Sequence, residues 1–455
     1  MKRREFVGGM GRAAAAVGAS PLVPGGLWEI PDKLTLAALG DIIMTRRISN
    51  QRDPRLLELV ELLRSADCAW ANCEMNIMDH RIGYPMGKGQ DGTIICEPWG
   101  GEELAWMGID LLGMANNHTA DYGEEGVLET IRNVERAGLR HAGSGQDMQY
   151  ASKPGYFDSP RGRVGQVSCA STFASWSMAA YTTPHAKGRP GLNPLRWSRS
   201  YQLESEQFDQ LREVGQAVAE ATGNENAESA ADALDFMGNR FTRGDANDIF
   251  SEPNAEDLER ITEAVGIARR NSKVVIVSIH AHEGYRDREV PARFLVTFAR
   301  ACIDAGADAF FGTGPHILRG LEMYRGKPIF YSLANGVFQY ETVNQIGAEE
   351  FVASNLDRDT LDPSLAFDYA FADMVVDNRY WETVVPYITF EDGSEVTDIK
   401  LYPVVMGQHE PRHWRGTPIM ATAEEGEAIV DSLARLSEPY GTRMSYQDGI
   451  GHVAL

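Results

Sequence analysis

The chain has 455 residues, of which 43% are hydrophobic, and a formal net charge of −22. That acidity excludes a nucleic-acid groove or an anionic membrane surface as the main partner, and the length admits one large core with appendages. The five cysteines form no Cys-x-x-Cys pair, so they are read as buried core residues and not as a redox or zinc site.

Lys2-Arg3-Arg4-Glu5-Phe6-Val7 carries the paired arginines and following hydrophobes of a twin-arginine export signal. A Gly/Ala-rich, weakly apolar stretch runs on to Leu22, interrupted by Arg12, with Val17-Gly18-Ala19 as a small-residue cleavage site. Residues 1–32 are therefore read as signal peptide and linker, which places the mature protein in the periplasm or outside the cell. No apolar run reaches the roughly 18 residues a membrane span needs, so no transmembrane anchor is expected.

The body opens at Lys33 with a buried strand over 34–39 that runs into Gly40-Asp41. A helix over 54–65 follows, with apolar residues at Leu56, Leu57, Leu59, Val60, Leu62 and Leu63. A short strand at 68–72 leads to Cys73-Glu74, and a loop with Gly83, Pro85, Gly87 and Gly89 has the composition of one that borders a site. Residues 98–107 are helical in pattern, and a strand over 109–114 runs into Asn116-Asn117-His118. A helix over 126–137 is closed by Gly138. The alternation continues at 164–170, 257–271, 274–279, 291–305 and 307–311, which implies a layered α/β domain. The strand at 274–279 runs into His280-Ala281-His282-Glu283, and the one at 307–311 into Gly312-Thr313-Gly314-Pro315-His316.

Residues 185–255 break the rhythm and are read as a partly helical insertion, a lid over the site. Close to it, Trp176, Tyr181 and Trp197 with Arg189, Arg196 and Arg199 offer a cationic and aromatic surface for an acidic polymer. Beyond about 373 come a hairpin, 384–390 and 396–402 around the turn 391–395, and an amphipathic helix over 423–436.

Strands that stop at Asp, Asn or His deliver those side chains to one edge of a sheet. Oxygen and imidazole donors meeting there are what a divalent metal or an acid–base pair requires. Across Gly40-Asp41, Asn72-Cys73-Glu74, Ala115-Asn116-Asn117-His118 with Asp121-Tyr122-Gly123, His280 with Glu283 and Tyr285, and the long run from Gly312 to Leu333, the chain resembles the CapA family of poly-γ-glutamate capsule synthesis proteins, part of the calcineurin-like metallophosphoesterase superfamily.

The resemblance implies a four-layer α/β fold, a β-sandwich flanked by helices, over 33–345, with 346–455 as a C-terminal extension of hairpin and helix completing the sandwich. It implies Asp41, Glu74, Asn117, His280 and His316 as metal ligands, with Glu74 the bridging carboxylate and His118 the proton donor. Relative to the superfamily pattern, Ile43 and Gly314 stand where imidazoles are usual. That leaves donors for one divalent ion (Mn, Mg, Ca or Zn) and makes His282 either a replacement ligand or a second catalytic imidazole. Asn116, Glu283 and Asn335 are expected to contact substrate, and Gly336 to alter the substrate wall. Asp121 is read as the cap of the next helix in preference to a partner for the His118 ring.

The implied activity is metal-assisted hydrolysis or acyl transfer at an amide or ester bond of an anionic peptide polymer or peptide. Two further readings are α-proton transfer between His118 and His282, making a peptide epimerase, and a non-catalytic factor that binds capsule polymer or a synthase partner. The export reading is tested by replacing Arg3 and Arg4 with Lys. The machinery reads the arginine pair and not the charge, so the double variant should stay in the cytoplasm on fractionation; normal export would refute the assignment.

Overall fold

In the computed structural model, which describes residues 33–87, 92–223, 229–340, 343 and 345–455, the strand Leu34–Ile43 runs through the middle of the larger sheet. The residues read as an export signal lie outside those described. Leu34–Ile43 pairs in parallel with Cys68–Cys73 on one side and antiparallel with Glu382–Glu391 on the other. Because side chains alternate along a strand, it contributes to two cores at once. Ala37 and Leu39 pack outward with Leu56 and Leu59 of the helix Pro54–Ser65 and Leu104 and Met107 of the helix Gly100–Met107. Leu36 and Ala38 pack inward, against Val164, Ile276, Ala309, Phe311 and Phe330 of a second, six-stranded sheet.

The far face of that second sheet is covered in turn. Val167, Val275, Val277 and Phe310 pack against Ile261 and Val265 of the helix Ala255–Asn271 and Phe294 and Phe298 of the helix Arg293–Asp304. The order is helix, sheet, sheet, helix, the four-layer α/β architecture expected. Trp70 and Phe311 stack across the seam between the sheets, ring centroids 5.2 Å apart. The C-terminal hairpin Glu382–Glu391 and Glu395–Val405 belongs to the larger sheet, and the helix Ala423–Ser437, opened by a capping box of Thr422 and Glu425, buries Ile429 and Leu433 in the inner core.

The insertion is partly helical, as expected, and carries strands that the sequence did not reveal. It is built largely of strands: Trp197–Glu204, Ser229–Ala230, Ala233–Phe236, Asn239–Gly244 and Asp248–Pro253 form a five-stranded sheet beside the helix Ser205–Thr222. The arginine and aromatic patch next to it is largely engaged internally. Arg196 is 2.7 Å from Asp257, Arg189 donates to the Met178 carbonyl, and Trp197 stacks on Phe294. All five cysteines are buried and free, as read from the sequence.

Trp70 is fully buried and fills the seam between the sheets. Trp70→Ala should destabilise the fold by about 3–5 kcal/mol, seen as a lower urea midpoint at unchanged slope; a loss under about 1 kcal/mol would show that the seam closes without it.

Candidate metal centre

The parallel strands Leu34–Ile43, Cys68–Cys73 and Leu111–Gly113 of one sheet, and Val274–His280 and Ala309–Thr313 of the other, end at one edge of the sandwich. Their side chains meet there. Leu34–Ile43 runs past Asp41 to Ile43, with a bulge between Leu39 and Asp41 at which Asp41 is registered against both Asn72 and Asn335. Gly40 is required there, because a Cβ would lie 2.1 Å from the Ala334 carbonyl oxygen.

Glu74 is fully buried, and one of its carboxylate oxygens, Oε1, lies 3.4 Å from His280 Nε2, 3.6 Å from His316 Nε2 and 3.9 Å from His118 Nε2. His282 Nε2 is 2.9 Å from His280 Nε2. Asp41 lies on the Nδ1 side of two of these rings, 3.5 Å from His280 and 3.6 Å from His316. Two donor groups result, Asp41–Glu74–His280 and Glu74–His282–His316, each with its atoms within 4.8 Å of one another and Glu74 common to both. Ligands about 2.1 Å from a shared tetrahedral centre are about 3.4 Å apart, so these spacings fit a divalent ion held by carboxylate and imidazole.

Two of the imidazoles, His282 and His316, are shifted toward the neutral form that ligation requires. Burial pushes His316 down to about 4, against the pull of Asp41, with His280 and His118 adding to the fall. His282 is driven well below the ordinary histidine value by burial, then by its imidazole neighbours and Arg288. Burial alone would raise Asp41, but His280, His316 and a 2.7 Å hydrogen bond from Asn72 hold it below the usual carboxylate range.

Each ring is aimed by a second partner. His316 Nδ1 donates to Asn335 Oδ1 at 2.9 Å, which turns Nε2 toward Glu74. Asn335, expected at the substrate, is thus a support for His316, and its amide also donates to the Tyr380 carbonyl. His280 Nδ1 is 3.1 Å from Thr313 Oγ1. His118 Nδ1 donates to Asp121 Oδ2 at 2.7 Å, leaving Nε2 toward the cavity. The reading of Asp121 as a cap is therefore corrected: the helix Gly123–Arg136 follows Tyr122 and has no side-chain cap, and Asp121 accepts from His118 and from the Ile94 amide instead.

Other expected residues lie elsewhere. Asn116 donates to the Cys73 carbonyl and accepts from the His118 amide, so it shapes the loop from within. Glu283 accepts from Ser171, Thr172 and Trp197. Gly336 packs on Leu39 in the core, where a Cβ would lie 2.4 Å from Leu39 Cγ, so it forms no substrate wall. Of the glycine-rich loop, Gly89 lies outside the described residues, and Met86 donates to the Asp121 carbonyl. His282 lies beyond the end of its strand, so its position follows from the turn and not from strand periodicity. Gly314, at φ 115°, donates its amide to Asp41, and the backbone of Ala281 fills the space where a side chain would stand.

Asn72, which steadies Asp41, and the fully buried Arg319 were not anticipated. Arg319 donates to the carbonyls of Arg288 at 2.7 Å and His282 at 3.2 Å, pinning both residues. Over the centre opens a cavity of about 130 Å³ lined by Asn117, His118, His282, Arg288 and His316 together with apolar and aromatic side chains.

A four-layer α/β sandwich with buried carboxylate and imidazole donors at its strand ends defines a protein built round a candidate metal centre. A family model described as bacterial capsule synthesis protein PGA_cap matches residues 35–340, and the chain belongs to that family. The uncharacterized proteins y4sH and y4uA of Sinorhizobium fredii are each 34% identical over 440 residues, 94% of either chain. The capsule biosynthesis protein CapA of Bacillus anthracis is 23% identical over 68% of this chain and 60% of its own length. Among solved structures, the NAD nucleotidase of Haemophilus influenzae overlaps with a TM-score of 0.31 at 9% identity, over 88% of this chain and 55% of that one, a likeness too distant to bear on the site.

Asn335→Ala removes the acceptor that fixes the His316 ring. Metal affinity, measured by titration against a competing chelator, should fall about 10–100-fold; unchanged affinity would show that His316 is aimed by other means.

Proposed function

We propose that the protein is a metal-dependent enzyme that hydrolyses or transfers an acyl group at an amide or ester bond of a peptide substrate. Membership of the capsule synthesis family supports a capsule-related role. The relatives named for capsule and PGA biosynthesis point to anionic peptide polymer as the related substrate class. The observation that carries the reading is Glu74, a fully buried carboxylate with three imidazole Nε2 atoms round one oxygen. Glu74 would hold the ion together with Asp41 and His280 or with His282 and His316, Asn117 lines the cavity over the centre, and His282 would replace the imidazole that Gly314 does not supply. A divalent ion bound here supplies Lewis acidity toward the scissile carbonyl.

The chain's own residues supply the rest. His118 Nε2 faces the cavity while Asp121 holds its other nitrogen, so His118 is placed to give a proton to the leaving group. Thr172 Oγ1 accepts from the His282 amide at 2.9 Å, and Arg319 binds its carbonyl, which together keep the His282 loop in place. Export by the twin-arginine route would put this chemistry outside the cytoplasm. Among the described residues no helix is long and apolar enough to cross a membrane. A second reading is favoured by one observation, that His118 and His282 line the same cavity: α-proton transfer between two imidazoles, which would exchange the substrate α-hydrogen with solvent deuterium without cleavage.

Metal analysis and turnover of variants decide the main reading. The purified protein should hold a stoichiometric divalent ion that Glu74→Ala loses and His316→Ala binds weakly. His118→Ala should keep the ion and its melting temperature while turnover on peptide amides falls roughly 10²–10⁴-fold. Wild-type protein without metal, or equal metal loss in His118→Ala, would reject the assignment.

A further inference from the structure

The cavity above the candidate centre is lined by two chemically distinct kinds of side chain. Phe338, Phe367, Phe371 and Met374 give it apolar lining, Phe367 and Met374 from the short helices Pro363–Ala370 and Ala372–Val376 and Phe371 from the turn between them. The same cavity is lined by Arg288, an exposed cation on the strand Asp287–Pro291. Among the described residues its neighbours Arg379 and Arg435 are paired with Asp377 and Glu289, whereas Arg288 is in no ion pair. Its guanidinium donates to the Tyr380 hydroxyl and lies 5.6 Å from that ring's centroid, and Arg319 fixes its carbonyl at 2.7 Å. A guanidinium braced in this way, with donors to spare, is pre-organised for a carboxylate.

The volume narrows the ligand further. About 130 Å³ is well under the roughly 300–1,000 Å³ of pockets that engulf a drug-sized molecule. It suits one large apolar side chain, and an apolar wall gives a polymer of charged side chains no compensation for desolvation. We infer that the site receives the carboxyl-terminal residue of a peptide, its carboxylate on Arg288 and its apolar or aromatic side chain on the Phe367 and Phe371 wall. This rests on the proposed function and names the substrate class for it.

Binding tests the inference without relying on turnover. N-acetyl-phenylalanine, its carboxamide and N-acetyl-glutamate are titrated calorimetrically into the purified protein and into Arg288→Met, Arg288→Lys and Phe371→Ala. N-acetyl-phenylalanine should bind best, and Arg288→Met should weaken it about 10–100-fold while changing the carboxamide by less than about twofold. Arg288→Lys, which keeps the charge without the fork, should fall between, and Phe371→Ala should weaken both phenylalanine probes alike. Equal binding of N-acetyl-phenylalanine by Arg288→Met and wild type, N-acetyl-glutamate binding as well as N-acetyl-phenylalanine, or no binding of any probe would overturn it. Metal content measured on the same samples separates the two ideas. Protein without metal that still shows the Arg288 dependence rejects the catalytic reading alone, and metal-loaded protein without that dependence rejects this one alone.

Discussion

A carboxylate with no exposure to solvent is among the least favourable groups a fold can bury, and Glu74 is one. An ionised carboxylate in such a place needs compensating charge or hydrogen bonds, or it takes up a proton. The structure surrounds it with imidazole nitrogens from separate strand ends, and His282 Nε2, 2.9 Å from His280 Nε2, adds one more where a cation would join them. Bringing those nitrogens together requires the two sheets to lie face to face with their parallel strands ending at one edge. The Trp70–Phe311 seam and the Glu74 cluster are therefore two views of one constraint: the inner core sets the distance between the sheets, and that distance sets the spacing of the donors.

The cluster is stiff because the rings are tied from behind. Asn335 holds His316, Thr313 meets His280 and Asp121 holds His118, so each imidazole presents Nε2 inward. The backbone carries part of the burden too. His316 has φ 62° and Ala334 φ 53°, conformations that non-glycine residues adopt at a cost of order 1–3 kcal/mol. Ala334 at that angle accepts the Asp41 amide at 2.9 Å, and Gly314 at φ 115° gives its own amide to the Asp41 carboxylate. Strain gathered at the residues that orient the donors is a common signature of functional sites.

Much of this was legible in the sequence, for a physical reason. Apolar runs that stop at Asp, Asn or His report both a buried strand and the edge where it ends, so Asp41, His118, His280 and His316 could be placed at one edge, and Glu74 was added by the resemblance to the CapA family. The supports were harder to read. Asp121 looked like a helix cap because Asp before a helix usually is one, and only the fold brings His118 and the Ile94 amide within its reach. Asn335 looked like a pocket residue, and its role behind His316 depends on a parallel pairing with Leu34–Ile43 that local pattern does not encode. The insertion hid its strands because charged pairs, Arg240 with Asp235 and Arg243 with Asp232, occupy its sheet, so the alternation of apolar residues that marks a half-buried strand is weak there.

Net charge and site charge point in opposite directions, and together they bear on the ligand. The chain carries −22 overall, yet the cavity presents an arginine beside a group of imidazoles. At physiological salt, charges beyond about 8 Å are screened, so a short anion entering the cavity responds mainly to Arg288. A long polyanion would also meet the rest of a chain whose net charge is −22. Arg196, which the sequence offered as a contact for such a polymer, is already bound to Asp257. The same distribution that disfavours an extended anionic chain therefore leaves room for a single carboxylate next to an apolar side chain, and the membership of a capsule synthesis family need not mean that the polymer itself enters the cavity.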